Sequence, residues 1–198
     1  MLLNIKRIKI AETFILNPDI KITASQIARD KNLNQKSTAL FLEELEQELI
    51  LKSKLQGKNK LYSLNNENLE ILTQYLCAVE HLRTKAFYEK NTKIKLIIEK
   101  IIPHITGIAL IFGSYAKDTH KKTSDLDILI IGRHDKEKIH QISKTYNIEI
   151  NIKEQKTFEI NTLTKEVIKN HITIKNTEEY IRTILSLHYQ DKIARKST

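Results

Sequence analysis

Glycine and proline are scarce in this chain, with four glycines and two prolines among 198 residues. An all-β fold needs more turn punctuation than that, so the scarcity points to helices joined by tight connections. One cysteine, Cys77, excludes a disulfide within the chain and fits a reducing compartment. Its apolar helical surroundings make it a packing residue. Seven histidines are scattered, none at metal-ligand spacing with a cysteine, which argues against a zinc site. No apolar run approaches the length of a membrane span, and no apolar stretch follows a basic start. The expectation is a cytoplasmic protein with no membrane partner. Internal repeats and low-complexity linkers are also missing. What is present is an ordinary globular balance, 40% hydrophobic and 29% charged, enough for one large or two small domains. The net charge of +9 favours polyanionic partners.

The most informative stretch is Gly113-Ser114-Tyr115-Ala116 followed by Ser124-Asp125-Leu126-Asp127-Ile128. Asp125 and Asp127 open an apolar run that reads as a strand. Residues two apart on a strand share a face, so the two carboxylates project side by side. Like charges that close repel unless a cation sits between them. Paired oxygen ligands suit a hard divalent metal such as magnesium, held by one or two carboxylates plus substrate phosphates. The run Ile108 to Phe112 reads as a preceding strand, ended by Gly113, which permits close approach to the backbone. Ser114 offers a hydroxyl and an N–H to a phosphate, and a helix opening at Tyr115 would add free N–H groups. Lys117, His120, Lys121 and Lys122 lie where their cations could neutralise phosphate charge; a solvated loop is the alternative.

These two halves, in this order and spacing, resemble the motif of the minimal nucleotidyltransferases of the DNA polymerase β superfamily. The resemblance covers roughly residues 95–175. It implies a mixed sheet flanked by helices, Mg2+-dependent binding of a nucleoside triphosphate such as ATP, and nucleotidyl transfer to a hydroxyl. It makes Asp125 and Asp127 catalytic metal ligands and Gly113, Ser114, Lys117 and Lys121 nucleotide-binding residues. Two departures stand out. Where the family usually has a second glycine, this chain has Asp118. The third catalytic acid should lie on a later strand beside the pair. In Tyr146 to Lys153, Ile148, Ile150 and Ile152 alternate with Glu149, Asn151 and Lys153. Glu149 is the candidate third acid and metal ligand; a solvated glutamate is the alternative. Such proteins often act in toxin–antitoxin pairs, so the resemblance also implies a protein acceptor or toxin partner.

Residues 1–66 follow another pattern. A helix is expected from Leu2 to Leu16, a second begins after Thr23 as N-cap, and a third begins after Asn34. Two alternating segments around Gly57 then read as a β-hairpin. Three helices and a hairpin resemble winged helix-turn-helix transcription regulators. That implies DNA contacts from the front of the third helix, Gln35, Lys36, Ser37 and Thr38, and from hairpin lysines including Lys58 and Lys60. The acids Glu43, Glu44, Glu46 and Glu48 on the rear of that helix would repel DNA if they faced it. Residues 67–92 are expected as a connecting helix. Its stripe of Leu69, Leu72, Leu76, Val79 and Leu82 suits packing or a homodimer. Residues 93–198 are expected as the transferase-like domain.

The fold class expected is therefore α+β, an N-terminal winged helix-turn-helix followed by a nucleotidyltransferase-like mixed sheet flanked by helices. The function expected is a DNA-binding nucleotidyltransferase. The alternative is a transcription regulator whose transferase-like part is a non-catalytic ligand sensor or scaffold.

Overall fold

Two polar side chains at helix starts set the local structure of the N-terminal part. Thr23 caps α2 (Ala24–Asp30) in a capping box with Gln26, and the Asn34 side chain accepts from the Ser37 N–H at the head of α3 (Gln35–Gln47). Each satisfies N–H groups that a helix start leaves unpaired. The computed structural model describes residues 5–194, with side chains to residue 187. Residues 1–4, at the head of the expected first helix, lie outside the described residues. Packing divides the chain into two units, Met1–Val79 with Ile181–Thr198, and Glu80–Tyr180.

The first unit contains α1 (Ile5–Leu16), α2, α3, and an antiparallel hairpin of β1 (Leu51–Gln56) and β2 (Asn59–Leu64). It also takes in the early residues of α4 (Leu69–Lys90) and the later ones of α9 (Thr177–Ala194). Ile22 adds a single antiparallel bridge to Tyr62 on the hairpin. Ile10, Phe14, Ile27, Leu42, Leu45, Leu51 and Leu72 form its buried core. Three of the four acids behind α3 are paired internally. Glu44 and Glu48 pair with the buried Arg7 of α1, and Glu46 pairs with Lys60 at 2.7 Å.

The second unit is a four-stranded mixed sheet in the order β5-β4-β3-β6. Here β3 is Ile105–Phe112, β4 Leu126–His134, β5 Ile150–Gln155 and β6 Ile172–Lys175. Strand β3 runs antiparallel to both β4 and β6, while β4 and β5 are parallel. A parallel pair needs a crossover, supplied by α7 (Lys136–Tyr146), which the sequence reading did not assign. One face of the sheet buries Ile111, Ile128 and Ile130 against Ile94, Ile97, Ile98 and Ile101 of α5 (Thr92–Ile101) and Ile139 of α7. The break expected near Asn91 separates α4 from α5. The remaining helices are the single turn α6 (Gly113–Ala116) and α8 (Thr162–Lys169). No described helix is long and apolar enough to cross a membrane.

A buried polar cluster joins α4, β6 and α9 within this unit. Glu80 and His171 are fully buried. Glu80 pairs with Arg83 and accepts from the Thr173 hydroxyl at 2.8 Å, while Arg83 donates to the His171 carbonyl at 3.1 Å. The Tyr180 ring packs edge-on against His171. Burial holds the His171 imidazole below its ordinary range, against the pull of Glu80. The folded protein thus resists a proton that the unfolded chain accepts. Stability from this residue is full above the ordinary histidine pKa and is lost as pH falls below it, toward the depressed folded value. Unfolding free energies from urea titrations between about pH 8 and about pH 5 will carry a slope from this source of up to about 1.4 kcal/mol per pH unit. His171→Asn will remove that component of the slope.

Candidate functional site

The two aspartates arrive on one face because β4 begins at Leu126, with Asp125 just before it and Asp127 one residue in. Register then fixes their neighbours. Asp127 pairs with Phe112 of β3 on one side and with Asn151 of β5 on the other. The residue after Phe112 is Gly113, whose φ of +70° lies in the left-handed region. A Cβ built there would stand 2.1 Å from Asp127 Oδ2. The carboxylate therefore rests against a bare α-carbon, and no other residue type leaves room for it.

Burial pushes the Asp127 carboxyl above its ordinary range, and the nearby Asp125 charge pushes the same way; hydrogen bonding from Asn151 and the charge of Lys153 oppose this. Asn151 Nδ2 donates to Asp125 Oδ2 at 3.2 Å. Two carboxylates held together against their own repulsion, with hard oxygen donors, fit a divalent cation such as magnesium. Asp125 and Asp127 are the residues that would hold it.

Glu149 does not join them, which corrects the expected third acid. β5 starts at Ile150, so Glu149 lies before the strand, exposed, with its carbonyl accepting from the Leu126 N–H at 2.8 Å. The side chain opposite Asp127 is the amide of Asn151. Among the described residues no group of three or more acidic, histidine or cysteine side chains is placed to hold a metal. Asn151 and Lys153 are the site residues to which the sequence reading gave no role, although their shared face with Glu149 was visible in the alternation.

The loop between α6 and β4 is ordered by its own polar groups. Asp118 adopts φ +55°, the left-handed conformation that glycine takes most readily. Its carboxylate pairs with Lys90 at 3.0 Å. Lys117, expected at the nucleotide, pairs instead with Glu166 at 3.0 Å. His120 stacks on Tyr115 with centroids 4.2 Å apart. The Lys121 N–H donates to Ser124 Oγ, and the Ser124 N–H returns to the Lys121 carbonyl. This reciprocal turn closes the loop directly before Asp125, leaving the Lys121 side chain exposed and Ser114 half-buried beside Gly113.

A family model described as "Nucleotidyltransferase domain" matches residues 82–190, more than half of the chain. The chain belongs to the nucleotidyltransferase domain family. No curated protein matches it. Among solved structures, it resembles AF1382 from Archaeoglobus fulgidus at 18% identity and a TM-score of 0.34, covering 41% of this chain and 91% of that one. A toxin–antitoxin structure with AMP-PNP is similar at 19% identity and a TM-score of 0.36, covering 54% and 91%. MepR, a transcription regulator of the Staphylococcus aureus multidrug efflux pump MepA, is similar at 11% and 0.35, covering 48% and 73%.

Outside this nucleotidyltransferase domain, the expected DNA-contact residues of the first unit separate into two groups. Gln35 and Lys36 are exposed on the front turn of α3, and Lys58 is exposed at the hairpin tip. Thr38 is fully buried, with its hydroxyl donated to the Asn34 carbonyl, so it cannot touch DNA. The Ser37 hydroxyl also donates to that carbonyl. Lys60 is tied to Glu46 and lies over the Tyr62 ring at 5.1 Å. Burial would raise the Glu46 carboxyl, but Lys60 and Ser53 hydrogen bonds carry it below its ordinary value.

Two substitutions test the carboxylate seat. Gly113→Ala should cost about 1–2 kcal/mol for the left-handed backbone alone and displace Asp127, with loss of Mn2+ binding by calorimetry. Asp127→Asn should keep or raise the melting temperature of the metal-free protein at neutral pH, because it removes a repelled carboxylate, and should abolish any melting shift on adding Mn2+.

Proposed function

We propose that the second unit binds a nucleoside triphosphate with magnesium at Asp125 and Asp127 and transfers its nucleotidyl group to a hydroxyl acceptor. The observation that carries this is the Asp127 carboxylate packed on the bare α-carbon of Gly113, beside Asp125. Gly113 and Ser114 meet the phosphates, with Lys121 free to turn toward them. The acceptor oxygen attacks the α-phosphorus, the bond from that phosphorus to pyrophosphate breaks, and the hydroxyl proton passes to solvent. Magnesium, when bound, offsets the charge that builds on the leaving pyrophosphate. Asp118, close in the chain to Ser114, has its charge met by Lys90.

The same proposal takes the first unit as a winged helix that binds DNA. Support comes from the α2–α3 order, the Ile22 bridge to the hairpin, the exposed Gln35, Lys36 and Lys58, and the net charge of +9. A regulator that senses nucleotide without turnover is the second reading, favoured by the amide of Asn151 where an acid was expected.

Calorimetry with ATP and Mg2+ should show binding that Asp125→Asn or Asp127→Asn weakens by roughly 100-fold or more, since even outer partners of a metal ligand change affinity by 10–100-fold. Transfer of label from α-labelled nucleoside triphosphates to components of a native-cell extract should disappear in Asp127→Asn. Absence of both binding and transfer in the wild type would sink the proposal; binding alone would leave the sensor. For DNA, Lys58→Ala should lower the salt slope of binding by about 1 without changing sequence preference.

A further inference from the structure

We infer that this site seats a single divalent cation, and that Asn151 is a positioning residue standing where a second cation would need an acid. The inference rests on the nucleotide-binding reading above and concerns what this chain does differently.

Asp127 and Asn151 are register partners on parallel strands, so their side chains emerge on the same face of the sheet. Asn151 reaches the other carboxylate, donating to Asp125 Oδ2 at 3.2 Å. The amide nitrogen is engaged by Asp125, and the oxygen that remains is a neutral donor, weaker than a carboxylate. It supplies no negative charge to hold a second divalent ion close to the first. Lys153, farther along the same face, adds positive charge near Asp127. The exposed Glu149 lies outside the strand. Two acids supply charge for one hard cation, while the neutral amide and the Lys153 charge disfavour a second.

The division of labour in two-metal transfer shows what this omits. One ion stabilises the departing pyrophosphate and the other activates the attacking hydroxyl. Here the carboxylate pair retains the first role. Asn151 orients Asp125 for it and would supply no charge to a second ion beside an acceptor oxygen.

The test counts Mn2+ per full-length chain by electron paramagnetic resonance, with and without a saturating nonhydrolysable ATP analogue. Wild type should hold one Mn2+ and Asn151→Asp two. Asn151→Ala should still hold one, with affinity weaker by about 10-fold to 100-fold, the loss expected of an outer partner that orients a ligand. Metal-free Asn151→Asp should melt lower than wild type, and Mn2+ should raise its melting temperature by more. Two Mn2+ on wild type overturns the inference and leaves the nucleotide-binding reading standing, as does one on a folded Asn151→Asp. No Mn2+ on wild type overturns both.

Discussion

Two carboxylates fixed on one edge of a strand repel, and a fold that holds them there must supply the restraint from elsewhere. In this protein the restraint comes from both neighbouring strands. On the β3 side, Gly113 offers the Asp127 carboxylate an α-carbon without a side chain. On the β5 side, Asn151 offers an amide donor to Asp125. The price is an acid held above its ordinary titration range by burial and by its neighbour. Strain kept at one place while the surrounding sheet is well packed is the usual signature of a functional site. The isoleucine-rich face behind it, from Ile94 on α5 to Ile139 on α7, supplies the rigidity.

The sheet topology explains why the restraint can be symmetrical. β4 lies inside the sheet, antiparallel to β3 and parallel to β5, so its first residues meet the exit of β3 and the entry of β5 at one end. The turn after β3 and the start of β5 converge there without a long loop. The reciprocal Lys121–Ser124 turn delivers the chain into Asp125 from the same end.

Much of this was legible in the chain itself, and the failures have identifiable causes. The period-2 spacing of Asp125 and Asp127 and the apolar runs around them place the strands directly. Thr23 and Asn34 announce their helices by cap chemistry. Thr38 lies in the first turn of α3 yet faces inward, because it falls four residues before Leu42 and seven before Leu45, on the stripe that faces the core. Glu149 has the chemistry of a third acid, but the register of the parallel pair sets Asn151 beside Asp127, and that register depends on a crossover elsewhere in the chain. That crossover, α7, carries few apolar residues beyond Ile139 and Ile142, so its periodicity is faint, although Asp135 caps it. Ion pairs such as Lys117 with Glu166 and Lys60 with Glu46 join distant positions and no spacing rule reaches them.

The corner at Asp118 carries a wider consequence. An aspartate occupies a left-handed backbone geometry that glycine adopts most readily, and its charge is met by Lys90. What the bend requires at such a corner is a torsion angle, and more than one residue type can supply it. A chain can therefore drift from its family's consensus at a bend while keeping the bend intact. Divergence there measures the tolerance of a short polar side chain for the left-handed basin and says little about whether the pocket beneath has decayed.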